Sequence, residues 1–286
     1  MLCKSIPPTM SKNKEMLDKL ETELKIRGFS SMTVKAYLIH SRKFLDFIKK
    51  EPDQIAEQDA KRYLAYLISD KKYSPRSANL ALSALKFFHS QILQNTAFNA
   101  VKAPKLQKKI PTVLTKDEMK KLLDAAVNPK HKLLIEFMYS AGLRVSECVS
   151  LKFDDLDLAE KMGKIRHGKG EKERYIILSD SLIQHLNDFA SKKKDKSEYI
   201  FSVNGRNITA RQAQNVVKDT AKKAGIRKRV FCHALRSSFA THLLESGTDI
   251  RVIQELLGHS NLSTTQIYTK VSTQQLKKVK SPLDSL

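Results

Sequence analysis

Apolar residues recur at helical spacing along almost all of this 286-residue chain, and a single stretch alternates instead. In "SKNKEMLDKLETELKIRG", residues 11–28, Met16, Leu17, Leu20 and Leu24 form one stripe, and Gly28 closes it. The exception is "GKIRHGKGEKERYIIL", residues 163–178. Alternation broken by Gly168 and Gly170 reads as a strand, a tight turn and a return strand. A chain patterned in this way folds as a mainly α protein with a small β-sheet.

Three further helical stripes follow the first. Val34, Tyr37, Leu38, Leu45 and Ile48 mark the second, and "EQDAKRYLAYLISD" the third. Ser74 and Pro75, a cap and a first-turn residue, open the fourth, which carries Leu80, Leu82, Leu85 and Phe88. The stretch "NAVKAPKLQKKIPTVL" then breaks the periodicity with two prolines and a run of lysines, as a linker does. The expected organisation is an all-helical module over 11–97, a linker over 98–111 and an α+β domain over 112–286. Within the latter, Thr115 and Glu118 make a capping box ahead of "KDEMKKLLDAAV", and "HKLLIEFMYSA" ends at Gly142. After the hairpin the chain reads as helical to about Lys278, with a short tail that contains Pro282.

Charge narrows the partner. Lys and Arg number 52 against 30 acids, a net charge of +22, which calls for a polyanion. A thermophile's charged surface would balance lysine with glutamate, and this chain does not. Nucleic acid is preferred to an anionic membrane, since no apolar run approaches the roughly 18–20 residues of a spanning helix. The amino terminus shows no signal-peptide core. Cys3, Cys148 and Cys232 are scattered and odd in number. They fit neither a disulfide framework nor a metal site, and place the chain in the reducing cytoplasm.

Breaking a phosphodiester requires a nucleophile, a proton for the departing 5′ oxygen, and positive charge around the phosphorus. Metal-dependent enzymes supply that charge through clustered acids, but Asp154, Asp155 and Asp157 lie in "FDDLDL", which reads as a helix-ending turn. Cationic side chains are the better candidates. Arg144 in "AGLRVSE" leaves the turn made by Gly142, with Glu147 one helical turn on, placed to pair with it. His233 and Arg236 in "CHALRSSFATHLLESG" share one helix face, expected to be a basic face over an apolar one. His242 in the same helix reads as structural. The helix of Ile250, Ile253, Leu256 and Leu257 ends at Gly258, and His259 stands at its exit. Ser263 and Gln266 suggest another capping box, which puts Tyr268 near the second turn of a new helix. Lys169 sits between two glycines in the hairpin turn, without the spacing of a nucleotide-binding P-loop. Taken singly, each residue has a plainer reading as a solvated cation or a core ring.

Together, in this order, Arg144, Lys169, His233, Arg236, His259 and Tyr268 resemble the active site of the tyrosine recombinase (phage integrase) family. The resemblance spans nearly the whole chain, and is most specific in "HALRSSFATHLLESGTDIRVIQELLGHSNLSTTQIYT". Within the family the chain looks most like the Xer subgroup in its single-protein archaeal form. The resemblance implies a DNA clamp of a helical core-binding domain and a catalytic domain. Tyr268 would be the nucleophile of a 3′-phosphotyrosine intermediate, His233 its base and Lys169 the acid. Arg144, Arg236 and His259 would hold the non-bridging oxygens, with Glu147 as the supporting acid. No metal, cofactor or ATP is implied. The implied partner is double-stranded DNA carrying a dif-like site, bound by four protomers on two duplexes, with a monomer or dimer when free. Arg76 and Arg211 are candidate DNA contacts, and the tail a candidate for docking into a neighbour or capping its own protomer. A type IB topoisomerase, which reseals the same strand, and an architectural DNA-binding protein with a vestigial site are the alternatives.

Overall fold

The structure, a computed structural model, describes residues 8–51, 54–106, 111–166, 173–193, 196–259 and 261–268. Contacts divide it into two units, Met1–Lys108 and Lys109–Leu286.

Caps and glycines set the helices of the first unit: α1 (Pro8–Ile26), α2 (Ser31–Ile48), α3 (Glu57–Ser69) and α4 (Pro75–Gln91). The Ser30 and Ser74 hydroxyls accept from the amides of Thr33 and Ser77, satisfying donors that each helix start leaves open. Leu20 and Leu24 of α1, Phe44 of α2 and Leu85 and Phe88 of α4 are wholly buried. Each such side chain stabilises the unit by about 1.5–3 kcal/mol. A 3₁₀ turn, Ala97–Ala100, carries Phe98 into the same core, where it meets Phe44 edge-on at 5.7 Å and stacks on His89 at 3.8 Å. With Val101 also buried there, the packed unit runs into the stretch expected to be linker.

The second unit opens with the expected capping box. Glu118 N–H donates to Thr115 Oγ1 at 3.1 Å, and Thr115 N–H to Glu118 Oε2 at 2.8 Å, which starts α5 (Lys116–Asp124). The following helix, α6 (Pro129–Ser140), is buried from Leu133 to Met138 and stops before Gly142, whose φ is +59°. A short α7 (Val145–Val149) leads to an antiparallel sheet in the order β1-β2-β3: β1 (Leu156–Asp157), β2 (Met162–Ile165) and β3 (Arg174–Ile177). Gly163 pairs with Ile176 and Ile165 with Arg174. Next come α8 (Asp180–Lys192), β4 (Ser202–Val203), β5 (Arg206–Asn207) and α9 (Ala210–Lys223). The described chain closes with α10 (Cys232–Glu245), α11 (Ile250–Leu257) and α12 (Leu262–Thr265). Helix α10 is the axis of the unit, packed against α6, α9 and α11. Its Ser238 hydroxyl accepts the Leu114 amide at 2.9 Å.

The mainly α architecture with a small sheet is as the sequence implies, with four corrections. The sheet has a third strand, because the acid stretch passes through a 3₁₀ turn (Phe153–Asp155) into β1. The run expected to be wholly helical is interrupted by the β4–β5 hairpin, turned at Asn204 and Gly205 with φ of 51° and 78°. Helix α10 has no basic face over an apolar one: residues 234–241 are all buried, Arg236 among them. Finally, α12 starts at Leu262 and ends at Thr265, so Tyr268 lies past the helix, its N–H donating to Thr265 O at 3.0 Å.

Gly142 is the tightest point of this frame. A Cβ there would stand 2.5 Å from Phe239 Cδ1, at a φ that disfavours any side chain. Gly142→Ala is therefore expected to cost about 2–4 kcal/mol, combining a left-handed alanine with overpacking. Urea unfolding of the variant measures it, and a wild-type midpoint would contradict it.

Candidate active site

One carboxylate gathers the second unit's cations. Glu147, in α7, is buried. Its Oε1 accepts from Arg144 Nη1 at 2.6 Å, and its Oε2 from the Arg144 amide at 2.8 Å and from Arg174 Nη2 at 2.6 Å. Arg236 Nη1 lies 3.8 Å from the same Oε2. The sequence places Arg144 here because Gly142 ends α6 in a left-handed turn and the next helix starts at Val145.

Two of these arginines also fasten the carboxyl end of α11. Arg236 donates through Nη1 to Gly142 O at 2.6 Å and through Nη2 to Leu257 O, while its Nε is buried without a partner. Arg174 Nη1 donates to Leu256 O at 2.8 Å. Helix-end carbonyls lack partners within the helix, and guanidiniums meet both that need and the negative end of the dipole. Gly258, φ +60°, completes the exit; a Cβ there would come within 2.5 Å of Arg174 Cδ.

That exit presents His259, whose Nδ1 is 3.0 Å from Thr265 Oγ1. Its ring lies nearly parallel to that of Tyr268, with 18° between planes and centroids 6.4 Å apart. Tyr268 is buried, 4% exposed, among Phe239, Leu244 and Leu257. His233 sits at the start of α10, one turn before Arg236. Arg144, Arg174 and His259 line a cleft of about 820 Å³ together with Lys164, Tyr175 and Arg251.

The electrostatics follow from burial among like charges. Burial would raise the Glu147 carboxyl, but Arg174 and then Arg144 outweigh it and hold it below the usual carboxylate range. Burial, then Arg236 and Arg144, push His233 down, and the same groups push His259 down to about 4. Both imidazoles are therefore neutral at pH 7. Burial raises the Tyr268 phenol, with the nearby Ser237 hydroxyl and then Arg236 and Arg144 opposing it. No hydrogen bond of standard geometry joins Ser237 Oγ to any partner. Arg236 is pushed down by burial and by Arg144 and Arg174, yet a guanidinium keeps its charge at neutral pH.

Arg144, His233, Arg236, His259 and Tyr268 thus converge. Lys169 lies outside the described residues. Arg76 and Arg211 are exposed in the first turns of α4 and α9. His242 bonds Tyr139 across 2.9 Å, a structural role. Asp155 pairs with Arg166 at 2.9 Å and Asp157 accepts the Glu160 amide at 3.0 Å. Among the described residues no group of acids, histidines and cysteines is arranged to hold a metal, and no helix is long and apolar enough to cross a membrane. The residue the sequence reading missed is Arg174. Its signal was an arginine on the inward-facing register of an alternating strand, in line with buried Ile176.

Comparison with known proteins gives two family matches: "Phage integrase family" over residues 112–275, and "Phage integrase, N-terminal SAM-like domain" over 16–97. A protein named tyrosine recombinase XerA, from Pyrococcus horikoshii, is 41% identical over 270 residues, covering 93% of this chain and 92% of that protein. A crystal structure of XerA recombinase is 33% identical, with a TM-score of 0.55 over 93% of this chain and 96% of the other. One of XerH site-specific recombinase bound to difH substrate, a pre-cleavage complex, is 26% identical, with a TM-score of 0.70 over 88% and 81%.

Glu147 offers a direct check of the cluster. Glu147→Gln leaves three buried or half-buried guanidiniums without their counter-charge, and should destabilise the protein by about 3–5 kcal/mol in chemical denaturation. A change under about 1 kcal/mol would mean that the carboxylate is not the hub.

Proposed function

Because the chain belongs to the phage integrase family, we propose that it is a tyrosine site-specific recombinase of the Xer subgroup, which cuts and rejoins duplex DNA through Tyr268. The observation that carries this reading is the meeting of Tyr268 with guanidiniums that outnumber their single carboxylate. The XerH complex, held with its difH substrate, supports duplex DNA as the partner.

In this reading Tyr268 Oη attacks the scissile phosphorus, the bond to the 5′ oxygen breaks, and a 3′-phosphotyrosine forms. A phenol near pKa 10 or above needs a base at pH 7, and neutral His233 takes its proton. Lys169 protonates the departing 5′ oxygen. Arg144 and Arg236 give forked hydrogen bonds to the non-bridging oxygens, which a lysine cannot match. Two of the five Arg236 donors already hold the fold. With His259 Nδ1 engaged by Thr265, its Nε2–H is the further donor. The covalent link conserves the bond energy, so a 5′-hydroxyl from a second duplex re-forms the strand without ATP or metal.

The biological substrate is proposed to be a dif-like site of chromosome dimers in the cytoplasm, recombined by four protomers on two duplexes. The helical module of 11–97, with Arg76, and the domain of 112–286, with Arg211, share the DNA backbone. Contacts of that kind weaken steeply with salt.

The test is covalent capture in EDTA on a nicked duplex whose site the protein has itself selected from random-sequence DNA. Wild type should form an adduct that Tyr268→Phe does not; an adduct persisting in the variant removes Tyr268 as nucleophile. Relaxation of plasmids without joint products would favour a topoisomerase. A pH series adds a second expectation. His233 accepts a proton only when neutral, and its pKa is lowered. Cleavage should therefore be level near pH 7 and fall only as acidification passes that value, below 6.5. A decline already complete at pH 7 would contradict the base assignment.

A further inference from the structure

Arg174 belongs to β3, and its side chain crosses the interior to two other elements. Nη2 grips Glu147 of α7 at 2.6 Å, and Nη1 grips Leu256 O of α11 at 2.8 Å. Its stem fills the space that Gly258 leaves by lacking a Cβ. Both ends stop one step from groups assigned to the phosphate. Glu147 is the carboxylate that holds Arg144, and Leu256 stands three residues before His259.

Such an arginine is a poor choice for stability alone. It is 7% exposed, its Nε has no partner, and Arg144 and Arg236 already crowd the same carboxylate. Burying a third cation beside two others costs free energy unless an anion joins them. The charge count says which anion. Three guanidiniums less one carboxylate, 3 − 1, leave two positive charges. A phosphodiester carries one negative charge, but the pentacoordinate phosphorane formed when a phenolate adds to it carries two. Arg174 adds one guanidinium charge beside a phosphate whose negative charge rises from one to two on the way to the phosphorane, and stabilisation that grows in the transition state accelerates reaction.

Resting on the recombinase reading above, we propose that Arg174 is a positioning residue for strand cleavage. It locks Arg144 and the α11 exit bearing His259 into one frame, and adds positive charge where the phosphorane carries more negative charge than the phosphodiester. An arginine is needed because only a planar fork reaches a carboxylate and a carbonyl in different directions at once. A lysine keeps the charge and loses one of the two anchors.

The experiment is single-turnover adduct formation on the self-selected nicked duplex, in EDTA and at saturating DNA. It compares wild type with Arg174→Gln and Arg174→Lys, beside gel-shift affinity and thermal unfolding of each protein. Arg174→Gln should lose about 10²–10³-fold in the saturated cleavage rate, the scale of a lost transition-state donor, with affinity within about threefold of wild type. Arg174→Lys should recover part of that rate. If Arg174→Gln does not fold, Arg174→Lys carries the test, with an expected loss of about tenfold on the same scale. Saturated rates within about twofold of wild type in the folded variants would overturn the inference, as would a loss confined to affinity. Failure of the wild type itself to form an adduct would instead remove the recombinase reading, and the inference with it.

Discussion

The second unit depends on one buried carboxylate. Glu147 takes hydrogen bonds from Arg144 ahead of α7 and from β3 and stands in ion-pair range of α10, and the guanidiniums it holds or draws in close the end of α11. Away from water each charge loses several kcal/mol of hydration, which only good geometry returns. The geometry here is good for Glu147, every contact of which to Arg144 and Arg174 is under 3 Å. It is incomplete for the arginines, since two Nε atoms are buried without partners. The cluster carries more positive charge than its single carboxylate balances.

The same imbalance sets the protonation states. Held close to guanidiniums and partly removed from water, His233 and His259 have lowered pKa values and are neutral at pH 7. Tyr268 feels opposing influences: burial raises its phenol, and Arg236 and Arg144 pull it down.

The sequence made much of this legible where a residue type has one strong local preference. Ser74, Thr115 and Gly258 mark helix ends in the chain and do so in the structure. Arg144 and Glu147 were expected to pair and do, at 2.6 Å. What escaped notice depends on tertiary contact. The β1, β4 and β5 strands are two residues each, too short to show alternation, although the Asn204-Gly205 turn was a local sign. Helix α10 is rich in Ala and Ser, small enough to be enclosed on all sides, so its periodicity concealed the burial of Arg236. Arg174 looked like one more lysine-like charge in a basic hairpin. Its place on the inward register beside Ile176 was the one local sign, and the facing Glu147 confirms it.

The most direct measurement is a structure of the protein on a cleaved duplex with vanadate in place of the scissile phosphate. The account predicts vanadium bonded to Tyr268 Oη, with Arg144, Arg236 and His259 donating to its equatorial oxygens at about 3 Å and Arg174 still on Glu147. Vanadium bonded to water or to another side chain, or guanidiniums that remain beyond hydrogen-bond reach, would contradict it.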